Sequence, residues 1–161
     1  MSKFLAIAVG AAVCVAFAAG AASAVTDVTV EPVSFTIPAG QCADLPPTLS
    51  VSGTGTARIR AHSSLDAQGR VHETFGTVIT GTATDSLGGT YRFNYHNSLS
   101  LSAAADFPFV AHITDHFNLV GSGGASQIHT FFNIEVLITG PDSSEVLSFH
   151  SHGDPDTCDP L

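Results

Sequence analysis

The sequence predicts an all-β protein, an antiparallel meander of about seven long strands forming a closed or nearly closed β-barrel, with a β-sandwich as the alternative. Apolar and polar residues alternate with a period of two, and no segment keeps a helical period over three turns. The alternating segments are about 13 to 15 residues long, against the usual ~5–6. Strands of this length in a meander favour a barrel over a short-stranded sandwich.

Seven segments carry the alternation, and short loops separate them. The predicted strands span residues 25–37, 48–62, 70–84, 90–102, 109–120, 125–139 and 145–151. The connecting stretches 66–69, 87–89, 121–124 and 141–144 contain the Gly, Pro, Asp and Ser residues that tight turns require. Glycine inside a strand marks a bend or a close approach, and we expect the strands to bend at Gly53, Gly55, Gly76 and Gly81.

Residues 1–24 have the features of a secretory signal peptide. Lys3 precedes an apolar stretch, and the small residues Ala22-Ser23-Ala24 supply a cleavage site. We expect cleavage after Ala24, which would leave residues 25–161 as a single secreted β domain outside the cell. No membrane-spanning segment is expected in the mature form.

The mature chain is acidic, which restricts its partners. After cleavage, four arginines stand against 14 acidic side chains, a formal charge of −10 with histidine neutral. Such a charge argues against nucleic acid and against anionic membrane surfaces. A small hydrophobic ligand or a component of the cell envelope is the kind of partner that the composition allows.

Cys42 and Cys158 are the two cysteines that remain after cleavage. In an oxidising compartment a lone pair is most simply a disulfide, which would tie the first loop to the C-terminal tail. A metal site that used both thiols would need further ligands at short spacing. Cys42 has none nearby in the sequence.

The closing stretch, VLSFHSHGDPDTCDPL, places His150 and His152 two residues apart. On a strand both point to the same side, about 6.6–6.8 Å apart along the backbone, so they are candidates to share a metal ion. The alternative is that Leu147 and Phe149 face the core and both histidines face solvent. We adopt that alternative and expect no metal and no other cofactor.

The other histidines fall out of phase with the apolar rows and are predicted to lie on a polar face. His112 and His116 would form a ligand pair on a helix, but on a strand they lie about 13 Å apart. A site assembled across neighbouring strands, for example from His96, His112 and His129, stays open because adjacent strands are only ~4.8 Å apart.

Two carboxylates, Glu73 and Asp115, lie in phase with apolar residues and are the candidates for acid–base catalysis. Arg92 or Arg58 would be their partner. A β-bulge that turns either carboxylate to solvent is the alternative. The sequence has no nucleophile elbow, phosphate-binding loop or zinc-protease motif, so it favours a non-enzymatic binding or cell-envelope role.

Several phrases together resemble a group of small secreted actinobacterial all-β proteins of unknown function. They are GQCADLPP, GTGTA, GTATDSLGGTYRFNYHN, ITDHFNLVGSGGA, IHTFFNIEV and the cysteine near the end. The resemblance implies the compartment and the fold, and that group has no assigned site residues to carry over. The alternative function is a small barrel enzyme resembling allene oxide cyclase or dirigent proteins, which would act on a hydrophobic substrate in an aromatic lumen with Glu73 and Asp115.

Overall fold

A computed structural model describes residues 25–103 and 107–161 of the chain. The predicted signal peptide therefore lies outside the described residues. These residues form one antiparallel sheet of seven strands, in which the order in space is the order in sequence. The elements are β1 Val25–Ile37, β2 Val51–Leu65, β3 Val71–Asp85, β4 Thr90–Ala103, β5 Phe109–Gly121, β6 Gln127–Gly140, β7 Ser143–His152 and the short helix α1 Pro155–Cys158.

The all-β class and the seven-strand meander are as predicted, and most strand ends lie within a few residues of their predicted positions. The helix α1 was not predicted. Its first residue is Pro155, and the N–H that proline lacks would have no hydrogen-bond acceptor within the first turn of a helix. No helix within the described residues is long and apolar enough to cross a membrane.

The sheet has two chemically different faces. The pairing register runs without interruption from β1 to β6, so alternate residues of every strand share one face. We call the face that carries Phe35, Phe93 and Phe117 the inner face and the opposite one the outer face. As the sequence phase predicts, the histidines lie on the outer face: His62, His72, His96, His112, His116, His129, His150 and His152.

Contacts between distant strands show that the sheet curls. The ring of Phe35 on β1 lies 4.9 Å from the ring of Phe93 on β4 and 5.9 Å from that of Phe117 on β5, both edge-on. In a flat sheet, strands three or four places apart would be about 14–19 Å apart. The inner face therefore wraps around a core at this end of the strands. The large residues with least exposure there are Ile37, Val51, Phe117, Leu119 and Ile128.

Glycines allow the aromatic rings to approach the backbone. A Cβ on Gly53 would overlap the ring of Phe35, and a Cβ on Gly55 or Gly81 would overlap the ring of Phe93. These glycines were expected at bends. Their packing role is to leave space for rings that cross the inner face.

The prediction of a closed barrel is wrong, because β1 and β7 are the two unpaired edges of the sheet. The pairing of β6 with β7 has register shifts at two places, and bulges bend and twist a strand away from its neighbours. On β1, Pro32 has no N–H to donate to a further strand. The sandwich alternative is also wrong, since all seven strands belong to one sheet.

The predicted disulfide between Cys42 and Cys158 is present, with both residues buried. It joins the segment between β1 and β2 to α1, which follows β7 and packs against β6. The first and last parts of the domain are therefore linked by a covalent bond in place of a hydrogen-bonded strand pair.

The edge strand β7 is poorly covered. Phe149 lies opposite Ile134 on the inner face, as predicted, but it is 53% exposed. Leu147, also predicted to face the core, is instead the bulged residue and is 50% exposed. The bulge explains the difference, because an extra residue breaks the alternation on which the prediction depends.

Two glycines of β3 provide a test of the aromatic packing. A Cβ on Gly81 would overlap the ring of Phe93 and the carbonyl oxygen of Thr54, whereas a Cβ on Gly76 would have its nearest neighbour, the Asn97 carbonyl oxygen, at 3.9 Å. We expect G81A to lower the free energy of unfolding by about 1–3 kcal/mol, and G76A to change it by less than about 0.5 kcal/mol. Urea unfolding followed by circular dichroism measures both. Equal effects would show that Phe93 does not pack on Gly81.

Candidate binding site

The two carboxylates singled out from the sequence lie on the inner face but not together. Glu73 on β3 is opposite Leu101, and Asp115 on β5 is opposite Asn97. They are two strands and four residues apart, which is about 16 Å. The predicted partners Arg92 and Arg58 lie on the outer face, so the expected pairing of these arginines with the carboxylates is wrong.

Asp115 is buried and held by two donors. It is 6% exposed, and its Oδ2 accepts hydrogen bonds from the Tyr95 hydroxyl at 2.6 Å and from the Asn97 amide at 2.8 Å. Burial, together with the hydrogen bond to Asp115, raises the pKa of Tyr95 well above its usual value. Asp115 Oδ1 is buried and has no hydrogen-bond partner among the described residues.

Asp159 completes this cluster, and sequence reasoning missed it. Burial raises the pKa of Asp159 to about 7; the Leu161 N–H opposes this, and the nearby Asp115 carboxyl adds to it. Its position next to Cys158, which the disulfide holds, is the one sequence signal that could have indicated burial.

The carboxyl pair of Asp115 and Asp159 is poorly placed to meet a substrate. Asp115 is almost inaccessible, and the inner face beside it is filled by the rings of Phe35, Phe93 and Phe117. A general acid must come within hydrogen-bond reach of its substrate. The more accessible chemistry lies on the outer face.

A groove of about 1320 Å³ crosses the outer face at the end of the sheet where Phe35 lies. Its lining is rich in hydroxyl groups, and every strand from β1 to β4 contributes at least one. The hydroxyl-bearing residues of the outer face in this groove are Ser34, Thr36, Ser52, Thr54, Thr82, Thr84, Thr90 and Ser122.

The strand register arranges these hydroxyls in two rows. The first row runs Thr36, Ser52, Thr84, Thr90, and the second runs Ser34, Thr54, Thr82, Arg92. Neighbours within a row are ~4.8 Å apart, and the two rows are about 6.6–6.8 Å apart. Two pairs are hydrogen-bonded, Thr36 with Ser52 at 3.1 Å and Thr90 with Ser122 at 2.7 Å.

Among the residues that the structure describes, Arg92 is the one charged side chain in the lining of this groove. It lies between Thr82 on β3 and Val120 on β5 and is exposed. In the part of the chain that the structure describes, no carboxylate forms a salt bridge with it. Its guanidinium is therefore available to a ligand. Sequence reasoning assigned Arg92 to the carboxylates and missed the hydroxyl rows, which only the register of four strands shows.

The outer-face histidines divide into separate groups. His72 lies 3.1 Å from Asp66, and His112 lies 3.2 Å from Glu135. His129 lies opposite Asn118 on β5, and His112 is six residues from Asn118 along that strand, which is about 20 Å. The set of His96, His112 and His129 given as an example therefore does not assemble.

His116, not His112, completes the group. His96 is paired with His116, whose Nε2 lies 3.3 Å from Nδ1 of His129. Burial, and then the neighbouring His129 and His96, lower the pKa of His116.

The two C-terminal histidines differ in their surroundings. His150 lies opposite Asn133, whereas the ring of His152 lies 5.4 Å from that of His129. Within the described residues, Cys42, Asp44 and Cys158 bring three ligand-type atoms together, but both thiols are consumed by the disulfide.

Comparisons of the chain with protein families, with curated proteins and with solved structures gave no match.

Asp159 makes the stability depend on pH between its unfolded pKa of 3.8 and its folded pKa of about 7. Since the folded protein binds this proton more tightly, the stabilisation is complete below pH 3.8 and is lost as the pH rises through 7. Asparagine imitates the neutral carboxyl. At pH 8 we expect the free energy of unfolding of D159N to exceed that of the wild type by at least about 1.4 kcal/mol, the equivalent of one pKa unit. The two values should become equal only below pH 3.8, where the carboxyl is neutral in both states.

Urea unfolding of both proteins across this pH range measures the difference. The titration of His116, whose pKa is lowered, changes the free energy of unfolding with pH in the opposite direction. Because both proteins contain His116, the difference between them at each pH does not include its contribution. Asp142, exposed in the turn before β7, provides the control: D142N removes the same charge and should leave the pH profile unchanged. A wild-type profile in D159N would contradict the assignment.

Proposed function

We propose that the protein is a secreted, non-enzymatic binding protein that holds a saccharide of the cell envelope in the outer-face groove. The observation that carries the proposal is Arg92, without a protein carboxylate partner among the described residues, beside two rows of hydroxyls. The groove is wide enough for more than one sugar ring, because ligand sites of drug size occupy about 300–1,000 Å³.

The hydroxyl rows suit a ligand that is itself rich in hydroxyl groups. Each Ser or Thr offers one donor and two acceptor lone pairs, and the hydroxyl hydrogen rotates to suit its partner. Hydroxyls on neighbouring strands are ~4.8 Å apart, a spacing that lets successive oxygens of one sugar ring reach different residues. Polar groups at fixed positions on strands set the orientation of the ligand.

Arg92 adds preference for one anionic group. A guanidinium binds a carboxylate or phosphate through two parallel hydrogen bonds, which a neutral sugar does not offer. The formal charge of −10 expected after signal cleavage opposes binding of a polyanion. The ligand that fits both conditions is a saccharide with a single carboxylate or phosphate.

The compartment belongs to the same proposal. A disulfide between Cys42 and Cys158 is compatible with an extracellular protein, and the signal-peptide pattern of residues 1–24 supports secretion. Kinship with small secreted actinobacterial all-β proteins stays a prediction.

The alternative, an enzyme acting on a hydrophobic substrate inside the curled sheet, has less support. Asp159, with its pKa of about 7, is the group that favours it, since a general acid or base works best when its pKa lies near the operating pH. Against this, Asp115 is 6% exposed and three phenylalanine rings occupy the space inside the sheet.

Binding of an oligosaccharide that ends in glucuronate, compared with the matched one that ends in glucose, tests the proposal. We expect the wild type to prefer the glucuronate form by about 10-fold or more, since a charged hydrogen bond contributes about 1.5–3 kcal/mol. R92Q should remove the preference. T82V, which replaces a hydroxyl by a methyl of similar size, should weaken binding of both forms.

R60Q is the matched control, because Arg60 lies on the outer face of β2 outside the groove and carries the same charge. Calorimetry with wild type and variants gives the affinities, and circular dichroism verifies the fold. Absence of saturable binding to either oligosaccharide, or loss of the preference in R60Q as well as in R92Q, would overturn the proposal.

A further inference from the structure

Four histidines lie together on the outer face of β4 to β7. His96 on β4 is paired with His116 on β5, and His116 Nε2 lies 3.3 Å from His129 Nδ1 on β6. The ring of His152 on β7 lies 5.4 Å from the ring of His129. We call this group the histidine cluster.

We propose that His116 and His129 bind one divalent transition-metal ion, Zn²⁺ by its geometry, with a third imidazole from His152 or His96. Zinc binds imidazole nitrogen at about 2.0–2.1 Å with tetrahedral angles, so two ligating nitrogens are about 3.3–3.4 Å apart. The observed separation of 3.3 Å equals that edge of the tetrahedron. It is longer than the usual ~2.9–3.0 Å of a direct N–H hydrogen bond.

The net charge of the chain favours a cation. With a formal charge of −10 after signal cleavage, the chain as a whole attracts cations.

Asn118 holds the two rings in this arrangement. Its amide nitrogen donates to His116 Nε2 at 3.1 Å, and its amide oxygen accepts from His129 Nδ1. These are the nitrogens that the ion would take. The amide is therefore the group that a metal ion replaces, and the spacing of the rings is set before the ion arrives.

The third ligand requires a side-chain rotation. Within the described residues no third ligand-type atom lies within 4.8 Å of the two facing nitrogens. His152 and His96 are both exposed, so neither ring has to leave a packed position to turn toward the ion. Water would complete the coordination, as in zinc sites with three protein ligands.

Titration calorimetry of ZnCl₂ into the full secreted protein, purified without a polyhistidine tag, tests the proposal. We expect one ion per chain. H116Q and H129Q should each weaken binding by about 10-fold or more, since even residues that only support a ligand change metal affinity by 10–100-fold. Either H152Q or H96Q should do the same, and the variant that does so identifies the third ligand.

H150Q is the matched control, because His150 lies on the same face of β7 two residues from His152 and opposite Asn133. It should bind zinc as the wild type does. Should a variant fail to fold, NMR of the imidazole nitrogens in the wild type replaces it: Zn²⁺ should shift the signals of His116 and His129 and leave that of His62 in place.

Three outcomes would overturn the proposal: no saturable binding of one ion per chain, wild-type affinity in H116Q and H129Q, or equal weakening by H150Q. Wild-type affinity in both H152Q and H96Q would refute the third imidazole. A parallel titration with Cu²⁺ tests the choice of ion. Copper generally binds a given nitrogen site more tightly than zinc. If the ratio of copper affinity to zinc affinity is no larger than for free imidazole, the geometry of the site suits zinc. A larger ratio contradicts the choice of zinc.

Discussion

The packing of Phe35 against Phe93 and Phe117 is the interaction on which the rest of the structure depends. These rings come from strands that a flat sheet would hold about 14–19 Å apart, so their contact requires the sheet to curl. Gly81 makes the contact possible, because any Cβ there would occupy the space of the Phe93 ring. The groove lies on the outer face at the same end of the sheet.

A sheet that curls into a barrel closes through hydrogen bonds between its first and last strands. In this protein the Cys42–Cys158 disulfide links the two ends of the domain instead. The disulfide and the packing of α1 against β6 hold the tail on the domain, where Asp159 is close enough to Asp115 for the two carboxyls to interact electrostatically. Burial of this carboxyl is thus a consequence of where the covalent link lies. Because β7 does not pair with β1, its hydrogen-bonding edge need not be regular. This is consistent with the two register shifts of β7 and with the exposure of Phe149.

Local features of the structure could be predicted from the sequence, and features set by long-range packing could not. The strands and the outward direction of the histidines follow from the period of two, and the disulfide follows from the lone cysteine pair. Alternation tells which face a residue occupies but not how far a sheet curls, so closure was overestimated. The hydroxyl rows of the groove depend on the register of four strands, which the sequence does not give. Asp159 lies in a tail with no periodic pattern, so its burial could not be predicted from the sequence either.

The division of the sheet into two faces explains why the binding chemistry lies outside. Aromatic packing fills the inner face at the curled end, so side chains there are not accessible to a ligand. Arg92, His96 and His116 lie on β4 and β5, each of which is paired on both sides, and strands held in this way position side chains more rigidly than loops do. His152 lies on the edge strand β7, which is bulged and exposed. The zinc site would thus combine two fixed ligands on β5 and β6 with an adaptable one, an arrangement that lets the third imidazole close on an ion already held by the first two.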